Sequence, residues 1–133
     1  MSCKSALYTA LQTPTAVAVD GVIPLGSLIR RYGCDISLNG NAVNLSGAGY
    51  YDVDVSITVA PTAAGTVTAT LVKDGVAIPG ATASAAAAAG APTVLSFPAL
   101  VRQACCASGS ALTLVLSGAA ATVNNVALRV QRI

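Results

Sequence analysis

Hydrophobic and polar residues alternate along most of the chain. The clearest stretch runs from Tyr51 to Val59, where Tyr, Val or Ile occupies every second position and Asp, Ser or Thr the positions between. A period of two places the two sets of side chains on opposite faces of a β-strand. No segment sustains a helical period of comparable quality, so the pattern predicts an all-β protein.

Three further stretches repeat the alternation, at 65–72, 112–116 and 126–131. On each strand, one face is apolar and is therefore predicted to point toward the core. These predicted core residues are Tyr51, Val53, Val55, Ile57, Val59, Val67, Ala69, Leu71, Leu112, Leu114, Leu116, Val126, Leu128 and Val130.

Turn residues divide the strands. Asn39-Gly40 and Asp74-Gly75 are strong hairpin signals because both residues of each pair tolerate a positive φ, and Asp20-Gly21 is predicted to separate residues 16–19 from 22–23 in the same way. Pro61 is predicted to close one long strand and Pro79-Gly80 to end another. The spacing indicates a sandwich or barrel of about eight to ten strands.

Length and composition bound the architecture. The 133 residues fit a single domain spanning 1–133. The hydrophobic fraction is 54%, yet no apolar run reaches the 18 or so residues that cross a bilayer. The N-terminus has no continuous apolar segment of the kind found in secretory signals. We therefore predict a protein that is made in the cytoplasm, with no signal peptide and no membrane partner.

The residue types exclude most catalytic chemistry. The chain has no His and no Glu, which removes the usual general base and every Ser-His-Asp or Cys-His arrangement. Asp52 and Asp54 share one strand face, which is compatible with a calcium site or a glycosidase pair. We favour a solvated face, or salt bridges to Arg30, Arg31 or Arg129. No catalytic, cofactor-binding or metal-binding residue is predicted, and the protein is predicted not to be an enzyme.

The four cysteines are Cys3, Cys34, Cys105 and Cys106, without a C-x-x-C spacing. Two long-range disulfides, each with one partner from the adjacent pair, are geometrically conceivable. For a protein made in the cytosol we favour reduced, partly buried thiols. Arg30 and Arg31 form the only adjacent basic pair and no aromatic platform accompanies them, so nucleic acid is not a predicted partner.

Three segments resemble a known family. The chain from Gly49 to Val55, the stretch Thr68–Thr82 and the final Ala127–Val130 strand follow one another as they do in the trimeric jelly-roll domains of the C1q/TNF-like group. The order is most similar to the tip domains of bacterial collagen-like spore-surface proteins, and the match covers about residues 36–133. The resemblance implies a C1q/TNF-like jelly-roll sandwich that assembles as a homotrimer.

The remaining segments are similar to small proteins encoded in prophages of Firmicutes. These segments are Cys3–Thr9, Leu28–Cys34 and Val101–Cys106, and no Gly-X-Y collagen stalk precedes the domain. This second resemblance implies a virion component rather than a spore protein.

Together the two resemblances imply a structural protein that decorates a phage capsid or forms a head fibre on the virion surface. Its partner would be the major capsid protein or another virion protein. The expected contact regions are a threefold-facing apolar surface and two exposed loops, Lys73–Gly75 and Ala85–Pro92, the second of which contains a five-Ala run that could form a helical turn, a loop or a strand. The alternative is a surface module that recognises carbohydrate or a protein receptor, as at the tip of spore-surface filaments.

Overall fold

The computed structural model describes residues 5–103 and 109–133, and the described chain consists of β-strands and turns. The strands in chain order are β1 (Ala6–Leu11), β2 (Thr15–Val17), β3 (Ser27–Tyr32), β4 (Ile36–Asn39), β5 (Ala42–Leu45), β6 (Gly49–Pro61), β7 (Gly65–Lys73), β8 (Val76–Ala87), β9 (Thr93–Gln103), β10 (Ser110–Ser117) and β11 (Ala121–Arg132).

The strands form two antiparallel sheets that pack face to face. The larger sheet has the order β3-β1-β11-β6-β9, with β2 added beside β11, and the smaller sheet has the order β4-β5-β10-β7-β8. Strands β8 and β9, which end the two sheets on one side, lie against each other. The all-β sandwich is therefore confirmed. The described residues form eleven strands rather than eight to ten, because short pieces such as the three-residue β2 form strands of their own.

The core lies between the two sheets and is built by the alternation. All the residues predicted to face inward on β6, β7, β10 and β11 are at most 1% exposed. They belong to one continuous buried cluster to which both sheets contribute. Burial of this apolar surface is the main favourable contribution to folding.

Two predicted hairpins are present, one of them shifted by a residue. Asp74 and Gly75 have φ values of 52° and 84° and join β7 to β8, as expected for a turn with two positive φ angles. Asn39 instead pairs with Ala42 as the last residue of β4. The two-residue turn is therefore Gly40-Asn41, with a positive φ of 61° at Gly40.

The Asp20-Gly21 turn does not form a hairpin, so that prediction was wrong. Strand β2 before the turn pairs with β11 of the larger sheet. After the turn, Val22 bridges Val115 of β10, and the Ile23 amide donates to the Leu114 carbonyl over 2.8 Å. The turn carries the chain from one sheet to the other, because each side of it pairs with a different distant strand.

Pro79-Gly80 does not end a strand, and that prediction was also wrong. Strand β8 continues to Ala87, and its pairing with β7 shifts register between Thr70 and Val72. Because β8 is at the edge of its sheet, the missing N–H of a proline and the positive φ of Gly80 fit within a bulge. The first part of the Ala85–Ala89 run forms the end of the same strand.

Candidate functional site

The outer face of the larger sheet gathers side chains from strands that are distant in the sequence. Register places Arg30, Tyr8, Arg129 and Asp54 in one row across β3, β1, β11 and β6. Directly opposed residues in an antiparallel sheet point to the same side. The neighbouring row contains Tyr32, Ala6, Gln131, Asp52 and Leu100. We call the surface formed by these rows and their neighbours the charged face.

Two acidic side chains at the centre of the charged face share one arginine. Arg129 Nη2 lies 3.3 Å from Asp54 Oδ2 and 3.7 Å from Asp52 Oδ2. The expected salt bridge to Arg129 is therefore present, whereas Arg30 and Arg31 join no ion pair with the acids among the described residues. Arg31 donates its Nε–H to the Ile36 carbonyl over 2.7 Å instead. The side chains of Asp52 and Asp54 remain 43% and 58% exposed, so these pairs contribute little to stability.

Three of the four tyrosines lie on the charged face. Tyr8, Tyr32 and Tyr50 are 38%, 70% and 49% exposed. Tyr51, the next residue after Tyr50, points to the core and is fully buried, with its hydroxyl donating to the Gly47 carbonyl over 2.6 Å. Burial, together with the nearby Asp35 carboxylate, raises the pKa of Tyr51. The sequence therefore offers three accessible aromatic platforms rather than four.

A shallow depression of about 380 Å³ lies in the charged face. Tyr8, Asp54 and Arg129 line it, and its other lining residues include the small Ser56, Ser96 and Ala127. These small residues lie opposite one another on β6, β9 and β11 and leave space between the larger side chains. The depression thus offers hydroxyl groups, a carboxylate, a guanidinium and a phenol ring to a partner.

The outer face of the smaller sheet is chemically different. Its residues are mostly hydroxyl-bearing, and we call it the hydroxyl face: Thr66, Thr68, Thr70, Thr82, Ser84, Thr113 and Ser117. The only charged residue in the five strands of this sheet is Lys73, at the end of β7. Lys73 Nζ donates to the Arg102 carbonyl of the larger sheet over 2.6 Å.

A partly buried ion pair fastens the sheets at one end. Asp35, just before β4, pairs with Arg132 at the end of β11, and their side chains are 13% and 16% exposed. Arg132 also donates to the Ala48 carbonyl. The space where Gly47 would carry a Cβ is filled by the Asp35 carboxylate, 2.5 Å away. We interpret this cluster as structural because its polar groups bond to one another.

The other predicted features are spread over the surface. Cys34 is exposed, with Sγ 3.8 Å from Asp35 Oδ1, so the expectation of a partly buried thiol was wrong for this residue. The turn after β3, made by Gly33–Asp35, holds it outside the core. Cys3, Cys105 and Cys106 lie outside the described residues. Of the predicted contact loops, Asp74 and Gly75 are exposed and Lys73 is half-buried. Every residue from 85 to 92 is exposed or half-buried, and residues 88–90 are all exposed.

Asp74 is held by the strand beside it. The Ala111 amide donates to Asp74 Oδ1 over 2.9 Å. This bond and the side chain of Ser110 hold the pKa of Asp74 below its ordinary value. Among the described residues, no three acid or cysteine side chains gather as metal ligands, and no helix is long and apolar enough to cross a membrane.

Solved structures match this arrangement of strands over nearly the whole chain. Eiger TNF from S. frugiperda is 13% identical, with a TM-score of 0.71 and coverage of 100% of this chain and 94% of the other. The globular domain of zebrafish complement 1qA is 8% identical, with a TM-score of 0.69 and coverage of 96% of each chain. A vertex protein of phage PRD1 is 13% identical, with a TM-score of 0.66 and coverage of 100% and 99%.

The chain has the C1q/TNF-like jelly-roll fold. The resemblance read from the β6–β8 segments is thereby confirmed at the level of fold. No family model and no curated protein matches the sequence. The C1q/TNF-like fold occurs in proteins as different as a TNF and a phage vertex protein, so function has to be argued from the surface.

Sequence reasoning missed the charged face as a unit. It offered Arg30, Arg31 and Arg129 as partners of Asp52 and Asp54 but did not place Tyr8 and Tyr32 beside them. Each strand alone did indicate which of these residues share a face. Arg30 and Tyr32 are two residues apart, and so are Tyr50, Asp52 and Asp54. What was lacking was the order β3-β1-β11-β6, which places those strands side by side.

Proposed function

We propose that the protein is a non-catalytic structural component of a phage virion that forms a homotrimer and decorates the capsid or forms a head fibre. It would lie on the virion surface and bind the major capsid protein or another virion protein. The absence of His and Glu supports the non-catalytic part of the proposal. The likeness in fold to a vertex protein of phage PRD1 supports the virion part.

The observation that carries the trimer is the composition of the charged face. Five large hydrophobic residues are exposed there: Tyr8, Tyr32, Tyr50, Val94 and Leu100. Tyrosine and arginine are enriched in protein interfaces, where they combine apolar contact area with a polar group. A chain with only 9% charged residues nevertheless places Arg30, Asp52, Asp54, Arg102 and Arg129 on this one surface.

Two measurements test this function. Light scattering coupled to gel filtration should give about 39 kDa, three times the chain mass of 13.0 kDa. Mass spectrometry of purified, nuclease-treated particles from an induced host should find the protein in stoichiometric amounts. A monomer at micromolar concentration contradicts the trimer, and absence from the particles contradicts the virion role.

The second candidate is a surface module that recognises carbohydrate or a protein receptor. The depression beside Tyr8 favours it, because it places an exposed aromatic ring beside a few convergent polar groups, as ligand sites commonly do. A glycan array, followed by calorimetry on Tyr8→Ala, tests this alternative. Binding that is lost in Tyr8→Ala but kept in Tyr50→Ala would support it over a purely structural role.

A further inference from the structure

Arg30 lies away from the two acidic side chains of the charged face. Tyr8 and Arg129 stand between it and Asp54 in the row, so the Arg30 and Asp54 backbones are about 14 Å apart at the usual strand spacing. That distance is too long for a direct ion pair. Among the described residues Arg30 takes part in no salt bridge.

Charge is unbalanced in the opposite sense at the centre of the charged face. Asp52 and Asp54 bring two carboxylates to one guanidinium, that of Arg129. Both acids are still about half exposed and could accept a further donor. Arg102, the remaining arginine on the charged face, lies opposite Tyr50 on β9 and joins no salt bridge with these acids among the described residues. The charged face thus contains a positive site on β3 and an acidic site on β6 whose two carboxylates share one arginine.

The two sites also differ in the side chains around them. All six residues of β3 are exposed, and the strand is the free edge of the larger sheet. Leu28, Ile29 and Tyr32 accompany Arg30 there, at 42%, 49% and 70% exposure. The acidic site adjoins the 380 Å³ depression, whose lining includes small side chains. The β3 edge thus presents a cation among apolar side chains. The acidic site adjoins a space that a side chain of another molecule can enter.

We propose that Arg30 of one copy pairs with Asp52 and Asp54 of a second copy, so that the β3 edge of each chain docks in the depression of the next. The two surfaces differ, and such a contact repeats from copy to copy until a ring closes. This inference rests on the proposed trimer and specifies which residues join its subunits. Charge complementarity of this kind fixes register and excludes other docking arrangements.

Reciprocal charge reversal tests the pairing. Arg30→Glu and Asp54→Arg each place like charges together, and each should raise the dissociation constant of the trimer by at least ~100-fold. The double variant restores opposite charges with exchanged positions and should recover the trimer. Light scattering and analytical ultracentrifugation measure the assembly, and circular dichroism verifies that each variant is folded.

The control is Thr66→Glu, which adds a carboxylate at an exposed position of the hydroxyl face and should leave the trimer intact. A second measurement uses the unaltered protein: the trimer should weaken as salt rises from about 0.05 M to about 0.5 M, because ion pairs are screened.

Trimers of undiminished stability in Arg30→Glu, or failure of the double variant to recover assembly, would overturn the pairing while leaving a trimeric virion protein in place. Loss of particle binding in Arg30→Glu with an intact trimer would also overturn it, in favour of an acidic segment of another protein on β3. A monomeric unaltered protein would overturn the pairing and the proposed trimer together.

Discussion

The charged face and the hydroxyl face cover the same core with different chemistry. Both follow strict alternation, and both leave fully buried residues on the inner side. On the outer side, one sheet presents tyrosines and charges of both signs, and the other presents threonine and serine. The difference shows that one buried core is compatible with two chemically distinct outer faces, so each outer face can have a separate role. Neutral hydroxyl groups are well hydrated, whereas paired charges and aromatic rings give a partner a definite orientation.

The largest expected effect comes from placing the same charge on each face. Ala127 and Ser117 are both half-buried outward residues, on the charged face and the hydroxyl face respectively. Ala127→Glu should abolish the proposed trimer, because the longer side chain fills the space that Ala127, Ser56 and Ser96 leave in the depression. Ser117→Glu should leave the 39 kDa mass unchanged, as measured by light scattering. Equal effects of the two substitutions would show that the faces do not differ in function.

A smaller effect is expected where the two sheets are fastened together. Asp35→Ala should lower the free energy of unfolding by about 3 kcal/mol, because it removes the carboxylate partner of the largely buried Arg132. Urea unfolding followed by circular dichroism measures the change. The control is Asp52→Ala on the charged face, where an exposed pair should contribute less than about 1 kcal/mol. Similar losses in both variants would contradict the structural role given to Asp35.

Tyr50 and Tyr51 are neighbours on β6 that point to opposite sides of the strand, so they allow a surface tyrosine to be compared with a core tyrosine. Tyr51→Phe should cost about 1 kcal/mol at neutral pH, since the Gly47 carbonyl loses its donor. The raised pKa of Tyr51 means that its contribution is complete below the unfolded pKa of about 10 and is lost as pH rises through the folded pKa. As pH rises above about 10, the free energy of unfolding should therefore fall less in Tyr51→Phe than in the unaltered protein.

The control for that experiment is Tyr50→Phe, which changes an exposed ring on the charged face and should keep the alkaline decline of the unaltered protein. Urea midpoints measured between about pH 8 and pH 11 provide the comparison. An identical alkaline decline in Tyr51→Phe would mean that another group causes it.

The smallest effect is expected at Asp74, on the turn that belongs to the smaller sheet. Its lowered pKa means that the ionised form favours the folded state above the unfolded pKa and that this contribution disappears as pH falls through the folded pKa. Asp74→Asn should therefore lower the melting temperature slightly at pH 7 and have no effect near pH 2. Scanning calorimetry at the two pH values measures this, and an equal shift at both would point to a cause other than charge.

Local patterns predicted the parts of the fold that depend on local rules. The alternation predicted the buried sides of β6, β7, β10 and β11. The hairpin at Asp74-Gly75 could be predicted because those two residues can adopt the positive φ values that the turn requires. Asp20-Gly21 is the same dipeptide, yet the segments on either side of it pair with different sheets. Turn chemistry determines how the chain bends, while distant strands determine what it pairs with afterwards.

The candidate site depended on information that single segments do not contain. Asp35 and Arg132 are 97 residues apart in sequence and meet only because β11 and the turn before β4 lie at the same end of the sandwich. The row from Arg30 to Asp54 likewise joins four strands taken from both ends and the middle of the chain. Pro79-Gly80 was mispredicted for a related reason, since only the strand order shows that β8 lies at the edge of its sheet, where a bulge can accommodate a proline.

The bulge at Pro79-Gly80 affects whether β8 can pair with the β8 strand of another copy when many copies are close together. Strand β8 is long, uncharged and at the edge of its sheet, and strands of that kind add to one another in open-ended stacks when many copies are close together. A residue without an N–H next to a glycine of φ 80° interrupts the row of backbone donors that a newcomer would need. On a densely covered particle, this interruption would favour assemblies with a fixed number of subunits over fibrils that grow without limit.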